Sequence, residues 1–286
     1  VIISTPGLTR SPQSLMPFGL PLRTRNTIVE VYGALLFGLG LLATISLTWS
    51  LLAGPLSYVL PKRLANRLGR WAITTIFRIY LGALGLIGAC RFDISALDAL
   101  RAERPLVIAP NHPCLLDALM VISRLPNLAC IMKADILDNV FLGAGARLAG
   151  YIRNDAQPSM IKQAVAELKS GSHLLLFPEG TRTTRWPINP CTGATALIAG
   201  RAQAPIQTVL IETDSAYLGK GWPLLRRPTL PITYRIRLGR RFDPPEQARD
   251  LTEELERYFL DELRSAPCVL PPCAPRGAES GVAQHT

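Results

Sequence analysis

The hydrophobic pattern along this chain changes character at about one third of its length. From Val31 to Ala53 there are 23 residues without a charge or a proline. At about 1.5 Å per residue a helix of that length spans roughly 34 Å, enough to cross a hydrocarbon core of about 30 Å. Trp49 and Tyr58, near its far end, suit a membrane interface. A signal peptide would have a shorter apolar core and a small-residue cleavage site. A second apolar stretch, Trp71 to Cys90, is interrupted by Arg78. An arginine inside a spanning helix is costly, so this stretch reads as a helix lying on the membrane or packed between membrane and domain.

Beyond Arg91 the apolar runs shorten to four or five residues: Leu106 to Ala109, Leu128 to Met132, Leu174 to Phe177 and Thr208 to Ile211. Such runs predict buried strands, and the segments between them have room for helices. Met160 to Lys169 has helical apolar spacing, with Gly171 placed as a C-terminal cap. Ile232 to Leu238 alternates apolar and polar residues, as a half-exposed strand does, and Glu246 to Leu263 is an amphipathic helix pattern. The sum is an α/β domain with a mostly parallel sheet, preceded by N-terminal membrane helices. The expected organisation is a flexible N-terminus over residues 1–27, an anchoring helical region over 28–90, a catalytic domain over 91–265 and a disordered tail over 266–286, where prolines and glycines break every pattern.

Charge sharpens this picture. The chain carries a net +10, of which +6 falls in residues 1–70 around the apolar segment. That placement favours a phospholipid surface over nucleic acid as the anionic partner, and no base-stacking motif accompanies it. Two basic residues precede the segment (Arg23, Arg25) and four follow it (Lys62, Arg63, Arg67, Arg70). The positive-inside rule then puts the downstream domain in the cytoplasm. The six cysteines form no C-x-x-C pair and there are only three histidines, so neither a zinc site nor a disulfide framework is expected. Gly38, Gly40 and Ala43 match a G-x-G-x-x-A pattern, but inside the apolar helix with no strand before them, which excludes dinucleotide binding.

Two constellations follow buried strands, where open α/β sheets place their sites. In Asn111-His112-Pro113-Cys114-Leu115-Leu116-Asp117 the histidine can serve as a general base and Asp117 can fold back to fix its tautomer. Cys114 offers a rival nucleophile. In Phe177-Pro178-Glu179-Gly180-Thr181-Arg182 a tight turn presents a hydroxyl, backbone N–H groups and a guanidinium suited to phosphate. Glu179 either orients the arginine, binds a hydroxyl or pairs with Arg182 in the loop.

In this order the two motifs resemble those of the glycerolipid acyltransferases typified by 1-acyl-sn-glycerol-3-phosphate acyltransferases, over roughly Arg91 to Ile211. The resemblance implies acyl transfer from acyl-CoA or acyl-carrier protein to a lipid hydroxyl, most simply lysophosphatidate, with no cofactor and no metal. His112 and Asp117 are then catalytic, and Glu179, Gly180, Thr181 and Arg182 bind substrate. Lys133 resembles a lysine common in the family, and Ala204-Pro205-Ile206 resembles its fourth block. There are two departures. Cys114 stands where serine is common. In the block Tyr151-Ile152-Arg153-Asn154, Asn154 occupies the place of an arginine associated with the acceptor's phosphate, and Arg153 precedes it. This form is similar to a divergent bacterial subgroup, and the missing arginine makes a different lyso-lipid or glycolipid the alternative acceptor. Both Arg153 and Asn154 are carried as substrate-binding residues: on an extended backbone Asn154 faces inward and Arg153 away, whereas in a loop Arg153 can swing back. The implied location is a bacterial inner membrane, catalytic domain towards the cytoplasm. A non-catalytic lipid-binding protein of the same fold is the alternative.

Overall fold

The computed structural model describes residues 28–140, 143–223 and 226–265. The expected flexible N-terminus and disordered tail lie outside the described residues. Two long antiparallel helices come first, α1 (Ile28–Val59) and α2 (Lys62–Leu86). The apolar stretch from Val31 to Ala53 lies within α1, the one described helix long and apolar enough to cross a membrane. One face of α1 is buried through Val31, Leu35, Ser46, Ser50 and Ala53, while Leu36, Phe37, Leu51 and Leu52 on the other sides are exposed.

The described residues form seven strands, β1 (Cys90–Asp93), β2 (Val107–Pro110), β3 (Leu128–Met132), β4 (Ile152–Arg153), β5 (His173–Leu175), β6 (Ile206–Thr213) and β7 (Ile232–Phe242). Their spatial order is β1-β7-β6-β2-β5-β3-β4. Every neighbouring pair is parallel except β6 with β7. The helices α3 (Asp117–Arg124), α4 (Ala134–Leu137), α5 (Gly143–Leu148), α6 (Gln157–Lys169), α7 (Ala194–Ala202) and α8 (Ala248–Ser265) cover the faces, with a 3-10 turn at Ser95–Leu100.

Each central strand is buried on both faces, which is why its sequence is a continuous apolar run. On one face α6, α7 and α8 bury Met160, Ala164, Leu168, Ile198 and Leu255 against Val107, Leu174 and Ile206. On the other, Val31 and Leu35 of α1 and Ile73, Tyr80 and Leu84 of α2 share one core with Ile108, Met120, Leu175 and Val209. The buried faces of the two N-terminal helices thus share a core with the sheet.

α2 is tied down by polar contacts as well. Buried Arg70 donates to Ala149 O (2.9 Å), Ser172 Oγ (2.8 Å) and Glu167 Oε2 (2.8 Å). Arg78, the charge that interrupted the second apolar stretch, donates from Nε to Ser123 O at 2.6 Å. That stretch therefore packs on the domain, on α3 among other elements, and turns Trp71, Ile79 and Leu86 outward.

Candidate active site

The carboxyl ends of β2, β3, β4, β5 and β6 all point to one edge of the sheet, and the residues that follow them gather there. β2 ends at Pro110. Asn111 then bridges to β6, donating from Nδ2 to Ile211 O (2.9 Å) and accepting the Ile211 N–H on Oδ1 (2.7 Å). This pair of hydrogen bonds to a strand backbone fixes where the chain leaves the sheet, and His112 is the next residue.

His112 Nδ1 lies 2.8 Å from Asp117 Oδ2. Asp117, the first residue of α3, is fully buried. Its Oδ2 also accepts the Cys114 N–H (2.7 Å), and its Oδ1 accepts from Cys114 Sγ (3.0 Å). An acceptor-only carboxylate facing Nδ1 holds the imidazole with its proton on that nitrogen and Nε2 free to take one. The ring is stacked on Phe177, centroids 3.8 Å apart. The Cys114 thiol is buried, and burial together with the Asp117 charge pushes it well above its ordinary range. It is spent as a donor to Asp117, which removes the nucleophile reading.

The second motif is locked to the first through Glu179. Its Oε1 accepts the His112 N–H (2.9 Å) and the Thr183 hydroxyl (2.7 Å), and its Oε2 accepts the Asn189 N–H (2.9 Å). Thr183 N–H returns a bond to His112 O at 2.8 Å. Burial raises the Glu179 carboxyl above its usual range, against the lowering effect of these three donors. Both Glu179 oxygens thus accept from the protein, no pair with Arg182 forms among the described residues, and the carboxylate fixes the position of the histidine backbone. Neither Thr183 nor Asn189 carried a sequence signal for this.

Gly180 sits at φ +65°, a left-handed turn conformation that suits glycine. Arg182 donates from Nη1 to Leu218 O (2.9 Å) and Gly219 O (3.2 Å), drawing the loop after β6 over the site. From that loop Lys220 Nζ donates to Thr181 Oγ1 at 3.2 Å, a cation that the motifs did not reveal.

The block around β4 divides in two. Arg153 is exposed and paired with Asp138 (2.8 Å) and Asp155 (2.8 Å), which hold its guanidinium firmly charged. It points away from the site, as the extended reading of the segment requires. Both carboxylates are themselves exposed, so the guanidinium is paired at the surface. Asn154 faces the other way and accepts the Ala134 N–H on Oδ1 at 3.3 Å.

His112, Lys133, Asn154, Gly180, Thr181 and Arg182 all line one cavity of about 1120 Å³. Its walls include Leu35, Leu42 and Trp49 of α1 and Phe77 and Tyr80 of α2. The arrangement is a base at the mouth of an apolar chamber, with cations at its rim. Among the described residues no cluster of potential metal ligands occurs.

Residues 91–212 match the family model described as Acyltransferase. The chain is 23% identical over 245 residues to a 1-acyl-sn-glycerol-3-phosphate acyltransferase of Pseudomonas aeruginosa, covering 82% of this chain and 91% of that protein. It is 30% identical over 184 residues to a lyso-ornithine lipid O-acyltransferase of the same organism, covering 62% of this chain and 65% of that one. In fold it superposes on the crystal structure of the 1-acyl-sn-glycerophosphate acyltransferase of Thermotoga maritima with a TM-score of 0.61 at 15% identity, covering 82% of this chain and 95% of that chain.

Proposed function

We propose the following reaction from the premise that this chain belongs to the acyltransferase family and is an O-acyltransferase of glycerolipid type: transfer of a fatty acyl group from acyl-CoA or acyl-carrier protein to the free hydroxyl of 1-acyl-sn-glycerol-3-phosphate, giving phosphatidic acid. The observation that carries it is His112, held at 2.8 Å by a fully buried Asp117, at the mouth of the apolar cavity. His112 Nε2 takes the acceptor's hydroxyl proton as that oxygen attacks the thioester carbonyl. Asp117 supports the imidazolium that forms. The carbon–sulfur bond breaks, and the departing thiolate takes the proton back from His112. Arg182, Lys133 and Lys220 meet the anionic headgroup. The protein sits in a bacterial inner membrane through α1, with this site towards the cytoplasm.

One observation favours a second acceptor. Where a phosphate-associated arginine is expected the chain has Asn154, and the adjacent Arg153 is bound to Asp138 and Asp155. An asparagine brings hydrogen bonds without charge. A lyso-ornithine lipid, the acceptor named for one of the relatives, needs no phosphate-binding arginine.

The test is purified protein with palmitoyl-CoA or palmitoyl-acyl-carrier protein and each lyso-lipid, products read by mass spectrometry. Esterified lysophosphatidate is the expected product. Product from lyso-ornithine lipid alone transfers the assignment to the second acceptor. His112→Ala should lower kcat about 10²–10⁴-fold, the usual loss with a general base. Retention of more than half the activity would falsify its role.

A further inference from the structure

The cavity under α1 holds two hydrogen-bond donors that acyl transfer does not use. Trp49 Nε1 and the Tyr151 hydroxyl are buried and have no hydrogen-bond partner among the described residues. Both residues line the cavity that reaches His112. α5 touches both residues. A Cβ at Gly145 would lie 2.5 Å from Trp49 Nε1, so the indole edge rests on that glycine. The next residue, Ala146, accepts the Tyr151 N–H at 3.0 Å. Around them the lining is apolar, with Leu42, Cys130 and Ile131.

Sheet register measures how far the Tyr151 backbone lies from the chemistry. Ile152 pairs with Ile131, which sets Tyr151 level with Cys130. Cys130 pairs with Leu175 and Leu175 with Ile108, four residues before His112. Three strand spacings of about 4.8 Å and four rises of about 3.3 Å place the Tyr151 Cα roughly 20 Å from the His112 Cα. That is comparable to the length of an extended long fatty acyl chain.

A buried donor left unpaired costs about 1–3 kcal/mol, and a tryptophan nitrogen can only donate. A plain hydrocarbon chain answers neither group. We propose that this end of the cavity is a binding site for an oxygen on the distal part of a lipid acyl chain, so that the protein prefers hydroxy- or oxo-substituted chains. The proposal rests on the acyl-transfer reading only for what brings the chain in.

Two measurements test it without depending on each other. In the first, palmitoyl-CoA and ω-hydroxypalmitoyl-CoA compete for one acceptor, and the product ratio is read by mass spectrometry. In the second, binding of palmitic, mid-chain hydroxypalmitic and ω-hydroxypalmitic acids to the purified full chain is measured by calorimetry. The wild type should favour a hydroxylated chain about fivefold, the value of one net hydrogen bond. Tyr151→Phe and Trp49→Phe should each bring that ratio towards one, whatever the loss of indole volume does to binding of both chains alike. No preference in the wild type, or a preference that survives both substitutions, overturns the proposal and leaves ordered water as the partner of these groups. If no acyl transfer occurs but the acids still bind with the expected discrimination, the reaction assignment fails and the site stands. Should Trp49→Phe not fold, Tyr151→Phe alone decides.

Discussion

At the scale of single residues, Glu179 ties the two motifs of the site together. Three donors converge on its carboxylate, one of them the backbone N–H of His112. Glutamine in its place keeps the shape but offers an NH₂ where one donor needs an acceptor. Glu179→Gln should cost about 1–3 kcal/mol of stability, the price of a buried unpaired donor, and should lower kcat more than it changes KM. Urea midpoints and steady-state kinetics check both. The pH dependence has a defined sign. Because burial raises the folded-state carboxyl above its ordinary value of 4.5, its contribution to stability is fullest below that value and is lost as pH rises through the raised one. The wild-type midpoint should carry this falling component, and the glutamine variant should lack it. A variant as stable and as fast as the wild type would show that the bridge between the two motifs does nothing.

Among the elements, the glycines of α2 separate packing from propensity. At Gly69 a Cβ would lie 2.5 Å from Ala149 N and 2.7 Å from Ala149 Cα, so α2 touches the backbone after α5 there. Gly82, in the same helix, has nothing within 4 Å of the equivalent position. Gly69→Ala should therefore destabilise the protein by about 1–3 kcal/mol, whereas Gly82→Ala should stabilise it by up to about 1 kcal/mol. Thermal melts in one detergent compare them, and equal effects would sink the close-approach argument. Much at this level was legible in the sequence. Leu128–Met132 is β3 residue for residue. α6 ends as its spacing implied, with Gly171 at φ +97° and the bonds Gly171 N–H to Leu168 O and Ser172 N–H to Glu167 O closing the turn. β1 and β4 were not legible, because Arg91 and Asp93 interrupt the one and the other is only Ile152 and Arg153, so neither forms an apolar run. The antiparallel entry of β7 was hidden too, since a half-exposed alternation does not say which way a strand runs. At the site, His112 and Asp117 were readable because five residues of turn can bring them together. The partners of Glu179 and Arg153 were not, because Asn189 and Asp138 are brought there by tertiary structure.

At the scale of the whole molecule, charge and apolar surface are arranged about α1. The helix turns one face to the sheet's core and leaves the rest of its apolar surface exposed. Its inner face is at the same time a wall of the cavity that opens at His112. Single-chain detergents, used to bring such a protein into solution, have the shape of that cavity's expected occupant. Their alkyl tails should enter it from the side of the micelle and compete with the acyl donor. Apparent KM for palmitoyl-CoA should then rise with detergent tail length at fixed micelle concentration, while a bulky steroid detergent leaves it unchanged. An enzyme assayed in the former would look slow for a reason that lies in its solvent, and its true preference among acyl chains would emerge only in bilayers.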